Sequence, residues 1–190
     1  MAVTSEHFLR PRLTAIAPSA ADVVRCAGGW LFDRAIAGWD VTVITTGRPD
    51  ARPLRMLGAR GRDVAILRAH PVTGACLEAI AVRGDLYESD RRVREMVLRA
   101  AAGRAEIRVW GEGWPADFSP GARLVPHHLS LAARAFKAQA VSACGLAARG
   151  EPEDDEVEVF RRAVMLTMVE NDVLLERNDS STIWESSLLH

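Results

Sequence analysis

A short polar turn after the first strand-like segment contains the side chains best suited to chemistry. Residues 13–17 are typical of a strand and residues 22–37 of a helix, and Ser19, Asp22 and Arg25 lie in or beside the turn that joins them. A hydroxyl, a carboxylate and a guanidinium can bind a polar ligand through hydrogen bonds and charge. Because open α/β sheets bind their ligands at the carboxyl ends of strands, we predict that the functional site lies at this turn.

Three histidines further along the chain are candidates to join this turn as acids or metal ligands. His70 follows a predicted third strand, and His127 and His128 follow a loop after a predicted fifth strand. Adjacent residues of a strand point to opposite faces, so at most one of His127 and His128 can face the turn. The simpler interpretation of this pair is a surface or loop position.

Two tryptophans flank that loop. Trp110 ends the predicted fifth strand, and Trp114 lies in the segment 111–126, which is rich in glycine and proline and has no apolar periodicity. Such a segment favours a loop at the same edge of the sheet as the polar turn. Aromatic rings commonly line apolar ligand pockets, so both tryptophans could stack on a ligand.

Five short apolar segments alternate with segments of helical periodicity. This alternation is typical of a parallel sheet with helices on both faces. We therefore predict an α/β fold: a Rossmann-like, open and mostly parallel sheet of about five strands. The predicted strands are residues 13–17, 40–46, 63–67, 77–83 and 105–110. The predicted helices are residues 22–37, 89–103, 129–144 and 154–175.

Polar residues and glycines indicate where the helices begin and end. Asp22 is predicted to cap the first helix and Ser89 the second, because both side chains accept hydrogen bonds from free backbone N–H groups. Gly38 and Gly103 are predicted to follow their last turns. The acidic residues between 151 and 158 are interpreted as the first turn of the last helix, where the helix dipole favours negative charge, and not as a metal site.

The composition is that of a globular protein. The chain has 190 residues, 48% hydrophobic and 26% charged, with a net charge of −1. This balance gives no electrostatic reason to expect nucleic acid or an anionic membrane as a partner. No apolar segment approaches the ~20 residues that span a bilayer, and residues 1–18 lack a signal-peptide core. We predict a cytoplasmic single domain over residues 1–190, with a loosely packed tail at 178–190.

The cysteines do not indicate a disulfide framework. Cys26, Cys76 and Cys144 are far apart in the sequence and form no CxxC pair. An odd number of isolated cysteines predicts neither paired disulfides nor a zinc site of the CxxC type. Each is interpreted as a small buried hydrophobic residue.

Several spacings between residues 13 and 67 agree with one known pattern. Ala17-Pro18 is followed by Gly28-Gly29, then by Gly-Trp-Asp-Val-Thr-Val at 38–43, and later by Leu57-Gly58 and Asp63-Val64. Together these segments resemble the start of the LmbE-like (PIG-L) zinc-dependent de-N-acetylases. That family opens with a strand, Ala-Pro-His-Pro-Asp-Asp-Glu, a helix containing Gly-Gly, and Gly-x-x-Val-Thr-Val. Beyond residue 67 the resemblance is weak.

The resemblance implies a zinc site at the polar turn, and this sequence departs from the family there. In the family the motif histidine and second aspartate bind zinc, the first aspartate is the general base, and a later His-x-x-His segment supplies a third ligand. Here the histidine position is Ser19, the proline Ala20 and the base Ala21, so only the second aspartate remains, as Asp22. Catalytic zinc normally has three protein ligands, and a neutral hydroxyl is a poor one. We therefore expect no bound zinc.

The first functional hypothesis is a catalytically degenerate, metal-free relative of these de-N-acetylases. It would bind a small sugar- or amide-like metabolite, or a partner protein that could be a second copy of the chain. Arg25 could place its own charge where the metal would lie. The pocket candidates are Ser19, Asp22, Arg25, His70, Trp110 and Trp114.

The alternative is a divergent zinc-dependent N-deacetylase, a hydrolase of linear amides. Its rearranged ligands would be Asp22, His127 or His128, and His70. A third interpretation, a generic nucleotide-binding fold, ranks last. Gly28 and Gly29 lie inside the predicted helix, whereas a dinucleotide-binding motif places its glycines in the loop before the helix.

Overall fold

The structure is a computed structural model that describes residues 10–69, 77–120, 122–146 and 156–164. Its strands are β1 (Arg12–Ala17), β2 (Asp40–Thr45), β3 (Ala59–Asp63), β4 (Leu77–Arg83), β5 (Glu106–Trp110), β6 (Arg123–His128) and β7 (Val157–Ala163). Its helices are α1 (Ala20–Ile36), α2 (Ala51–Met56), α3 (Ile66–Ala69), α4 (Gly84–Ser89), α5 (Arg91–Ala102) and α6 (Leu131–Ala143). The described strands form one mixed sheet in the order β3-β2-β1-β4-β5-β7-β6.

The first five strands are parallel, and their order reverses at the centre of the sheet. β1 pairs with β2 on one side and with β4 on the other. This reversal creates the crevice in which doubly wound sheets bind their ligands. The carboxyl ends of β1, β4 and β5 are Ala17, Arg83 and Trp110, so the residues that follow them meet at this crevice.

Helices cover both faces of the sheet, as predicted. On one face α1 buries Val23, Ala27 and Trp30 at helical spacing, together with apolar residues of α2 and α6. On the other face α5 buries Val93 and Val97 against β4 and β5. Within the described residues, no helix has the length and hydrophobicity that crossing a membrane requires.

The sheet is larger and less parallel than the sequence predicts, because residues 157–163 form β7 and not the start of a helix. β7 lies antiparallel to both of its neighbours, β5 and β6. Buried Glu158 and Phe160 alternate with exposed Val159 and Arg161, which is the two-residue period of a strand. The acidic residues 151–155, the predicted helix beyond 164 and the tail at 178–190 lie outside the described residues.

Two other predicted boundaries are wrong. The strand predicted at 63–67 is instead β3 at 59–63, an edge strand that pairs with β2. Most of its residues are polar and only Ala59 is buried, so its hydrophobicity did not indicate a strand. The predicted loop 111–126 ends at residue 122, because β6 begins at Arg123. Its Pro126 lacks an N–H group and is tolerated because β6 is the edge strand of the sheet.

The helix starts also differ from the prediction. Asp22 is not the N-cap of α1: that residue is Ser19, whose hydroxyl accepts a hydrogen bond from the Asp22 backbone N–H. Asp90, not Ser89, caps α5 in the same way. The predicted helix ends are confirmed, since Gly38 follows α1 at a φ of +88° and Gly103 follows α5.

Candidate functional site

The carboxylate of Asp22 lies at the reversal point of the sheet and interacts with two residues from neighbouring strand ends. Arg83 at the end of β4 donates from Nη1 to Oδ1 of Asp22 at 2.5 Å. Trp110 at the end of β5 donates from its indole Nε1 to Oδ2 at 3.2 Å. Each carboxylate oxygen therefore has a partner, and three segments far apart in sequence meet at one side chain. We define Asp22, Arg83 and Trp110 as the Asp22 cluster.

Arg83 is the cation of this cluster, not Arg25 as hypothesised. Its Nε also donates to Oδ1 of Asp85 at 2.9 Å, so one guanidinium bridges two carboxylates. Partial burial acts to lower the pKa of Arg83, but the negative charges of Asp22 and Asp85 outweigh it and raise that pKa. Arg83 therefore remains cationic at any pH at which the protein is folded.

The loop after β5 approaches the start of α4 closely. A Cβ atom on Gly84 would lie 2.6 Å from the carbonyl oxygen of Gly113 and 2.7 Å from that of Glu112. Those neighbours are backbone atoms, so only glycine fits at this position. The close approach keeps the loop against β4, next to Arg83.

Trp114 packs within its own loop. Its indole Nε1 donates to the carbonyl oxygen of Ser119 at 3.2 Å, and its ring packs at 5.5 Å on Phe118. It therefore stabilises the loop 111–120 and does not join the Asp22 cluster. His70 lies outside the described residues.

A small cavity adjoins the polar turn. It has a volume of about 240 Å³ and lies against Ser19, Ala21, Thr45, Arg48 and Cys144, at the carboxyl ends of β1 and β2. This volume is somewhat below the range of about 300–1,000 Å³ that is usual for small-molecule sites, so it fits a small ligand or one group of a larger ligand. Burial raises the pKa of the Cys144 thiol, which disfavours the nucleophilic thiolate.

A larger cavity of about 600 Å³ lies at the opposite edge of the sheet, against Ile36, Trp39, Met56 and Arg60. It adjoins the amino-terminal ends of β2 and β3. Parallel sheets bind ligands at their carboxyl edge, so we place the candidate site at the smaller cavity.

The structure separates His127 from Asp22. His127 Nε2 lies 2.8 Å from Oδ2 of Asp33, which also interacts with the Ser130 side chain. Asp33 is eleven residues beyond Asp22 on α1, roughly 16 Å along the helix axis. His128 is exposed on the other face of β6. The rearranged ligand set proposed from the sequence is therefore not brought together among the described residues.

Asp33 gives a pH-dependent contribution to stability. Burial acts to raise its pKa, but hydrogen bonds from Ser130 and His127 outweigh burial and lower it below the usual 3.8. Because the pKa of Asp33 is lower in the folded protein than in the unfolded chain, the charged carboxylate stabilises the fold at pH values above the unfolded-state pKa. This stabilisation is lost as the pH falls through the folded-state pKa. We expect Asp33→Asn to lower the free energy of unfolding by about 1–2 kcal/mol at pH 7 and by less at pH 3. Urea unfolding at both pH values measures this; an equal loss at both would contradict it.

The side chains at the turn do not fit the zinc site that the resemblance implies. Both oxygens of Asp22 accept hydrogen bonds from N–H donors, one of them a permanent cation. The hydroxyl of Ser19 accepts from the backbone of α1, and Ala21 has no donor atom. In the described part of the chain, no three His, Cys, Asp or Glu side chains are grouped so that they could hold a metal ion.

Arg83 is the site residue that sequence reasoning missed. The fourth predicted strand ends at this arginine, at the same edge of the sheet as Asp22. A charged residue at that strand end could have identified Arg83 as a partner of Asp22. The structure places the polar turn and Trp110 at the same edge of the sheet, as the apolar pattern of the strands predicts; their role in a functional site stays a prediction.

The fold is similar to that of deacetylases of known structure. A deacetylase from the teicoplanin biosynthesis pathway, in complex with teicoplanin, is 15% identical with a TM-score of 0.56 over 81% of this chain and 98% of its own. The A40926 pseudoaglycone deacetylase is 18% identical with a TM-score of 0.58, over 83% and 98%. The zinc-inhibited form of teicoplanin deacetylase is 13% identical with a TM-score of 0.56, over 81% and 98%.

No protein-family model and no curated protein matches the sequence significantly. Identities of this size establish a common fold only. The chain therefore has a deacetylase-like α/β fold, in which a mixed sheet is flanked by helices and Asp22 lies at the carboxyl edge.

Proposed function

We propose that this chain is a catalytically degenerate relative of the zinc de-N-acetylases, in which the guanidinium of Arg83 takes the place of the metal beside Asp22. The observation that carries the proposal is the occupation of both Asp22 oxygens by N–H donors. A carboxylate that is already paired with a guanidinium is a poor zinc ligand, because a zinc ion next to Arg83 would be repelled. The residue at the general-base position is Ala21, which cannot accept a proton.

The proposed role is binding of a small polar molecule, such as a sugar- or amide-like metabolite, or of a partner protein. A small ligand fits the cavity next to the turn, where the hydroxyls of Ser19 and Thr45 and the guanidinium of Arg48 provide polar groups. A few hydrogen-bonding groups in a concave site fix the orientation of a polar ligand and so make the site specific for it. Because Ser19 replaces the metal-binding histidine and Ala21 replaces the general base, we expect this cavity to bind a ligand without hydrolysing it.

Zinc binding tests the degenerate site. We expect chelator-treated protein to bind no stoichiometric zinc in isothermal titration calorimetry, because Asp22 alone lacks the ligands for a zinc site. The double variant Ser19→His/Arg83→Ala restores one imidazole and removes the competing cation, so it should bind zinc measurably more tightly than the wild type. Stoichiometric zinc in the wild type that Asp22→Ala removes would contradict the proposal.

Ligand binding is tested separately. N-acetylglucosamine, which combines a sugar and an amide, is titrated while backbone amide NMR shifts are followed. We expect shifts confined to residues around Ala21, Thr45 and Arg48, with none at the distant Trp39. An absence of shifts up to high millimolar probe would rule out acetamido sugars as ligands and would leave the partner-protein role.

A further inference from the structure

Two buried N–H groups near the carboxyl half of α1 have no acceptor within the described residues. They are Nε1 of Trp30 and Nη1 of Arg108 on β5. Trp30 is 0% exposed and Arg108 only 7%. A buried donor without a partner is unfavourable, more so when it is charged, and a bound water or ion is a usual explanation in native structures.

The two donors belong to one stack of aromatic rings and guanidiniums. The guanidinium carbon of Arg108 lies 4.7 Å from the Trp30 ring centroid. The guanidinium of Arg34 lies 5.9 Å from the same ring and 4.7 Å from that of Trp39. The two orphan donors therefore belong to side chains that pack directly against each other.

The stack has an excess of positive charge. Among the residues that the structure describes, Glu106 is the carboxylate paired with these two arginines: its Oε1 accepts from Nε of Arg108 at 2.9 Å. Burial and then the positive charge of Arg108 lower the pKa of Arg34, while Glu106 acts in the opposite direction. A second negative charge at this position would relieve the repulsion between the two guanidiniums.

We propose that a chloride-sized monovalent anion binds between Trp30 and Arg108, next to Arg34. A water molecule could accept hydrogen bonds from both donors, but it would leave the second guanidinium without a counter-charge. A halide has no hydrogens, and its charge balances the second guanidinium. The orphan donors are closed to solvent, so a large ligand is excluded. This site is independent of the proposed function.

Thermal unfolding of the wild-type chain tests the proposal. At constant ionic strength, the melting temperature should rise by several degrees when chloride replaces gluconate, which is too large for the site. Trp30→Phe keeps the ring and removes one donor, so it should reduce the chloride effect. Arg108→Met should abolish it, and Arg92→Met, which removes a surface arginine paired with Asp90, should retain it.

Crystals soaked in bromide provide the second readout. We expect an anomalous peak within hydrogen-bond distance of Trp30 Nε1 and Arg108 Nη1. Equal melting temperatures in chloride and gluconate, or density for a water at this position, would overturn the proposal. A bromide peak without any chloride-dependent stability would indicate an adventitious ion only, which also overturns it.

Discussion

Replacing Lys137 with methionine is expected to lower the free energy of unfolding by about 3–5 kcal/mol, because it leaves a buried carboxylate without its counter-ion. Nζ of Lys137 lies 3.0 Å from Oε1 of Glu158. The two residues are only 5% and 4% exposed. Lys137 is the only lysine in the sequence. Methionine has a similar length, so lost packing contributes little, and urea unfolding at pH 7 measures the loss.

Two further variants separate charge from packing. The double variant Lys137→Met/Glu158→Gln has no charge at either position of the pair, so it should be more stable than Lys137→Met alone. Arg91→Met removes a 91% exposed arginine from its i,i+4 pair with Glu95 and should cost no more than about 0.5 kcal/mol. A loss below about 1 kcal/mol for Lys137→Met would show that the pair is solvated and would contradict the buried geometry.

Gly29→Ala is expected to destabilise the protein by about 1–3 kcal/mol through overpacking. A Cβ atom at this position would lie 2.2 Å from Cδ2 and 2.4 Å from Cγ of Leu129, so the whole leucine would have to move. Leu129 is buried and its backbone N–H donates to the carbonyl oxygen of Glu156, which restricts that movement. Urea unfolding again gives the change.

The neighbouring glycine is the matched control. A Cβ atom on Gly28 would lie 3.3 Å from a terminal methyl carbon of Leu57, which can shift slightly. Both substitutions raise helix propensity by about 1 kcal/mol, so Gly28→Ala should be neutral or stabilising. The double variant Gly29→Ala/Leu129→Ala should relieve the clash. If Gly28→Ala and Gly29→Ala had equal effects, close packing at Leu129 would not explain why glycine occupies position 29.

Four of the five parallel strands could be predicted from sequence, whereas the edge strand β3 and the antiparallel strands β6 and β7 could not. β1, β2, β4 and β5 are largely buried strands that are rich in apolar and β-branched residues, which is a local signal. The apolar residues of β7 fit a helical spacing as well as a strand spacing. Its strand conformation depends on pairing with β5 and β6, and single-sequence patterns do not contain that information.

The candidate site was predicted in part for the same reason. The turn with Ser19 and Asp22 and the end of β5 at Trp110 follow local patterns. No local pattern identifies the partner of Asp22, because Arg25 and Arg83 both lie near the carboxyl edge of the sheet. The pairing of β4 with β1 places Arg83 beside Asp22. The deacetylase-like fold expected from the resemblance is confirmed; loss of catalysis and ligand binding remain predictions.

Glu158 also accepts hydrogen bonds from the backbone N–H groups of Gly29 and Trp30, at 2.9 and 2.8 Å. The first of these contacts joins residues 129 positions apart. During ribosomal synthesis, α1 leaves the exit tunnel long before β7 exists, so these two hydrogen bonds to the helix form only after β7 has been made. The fixed position of this part of α1 in the folded protein therefore depends on a strand that is synthesised late.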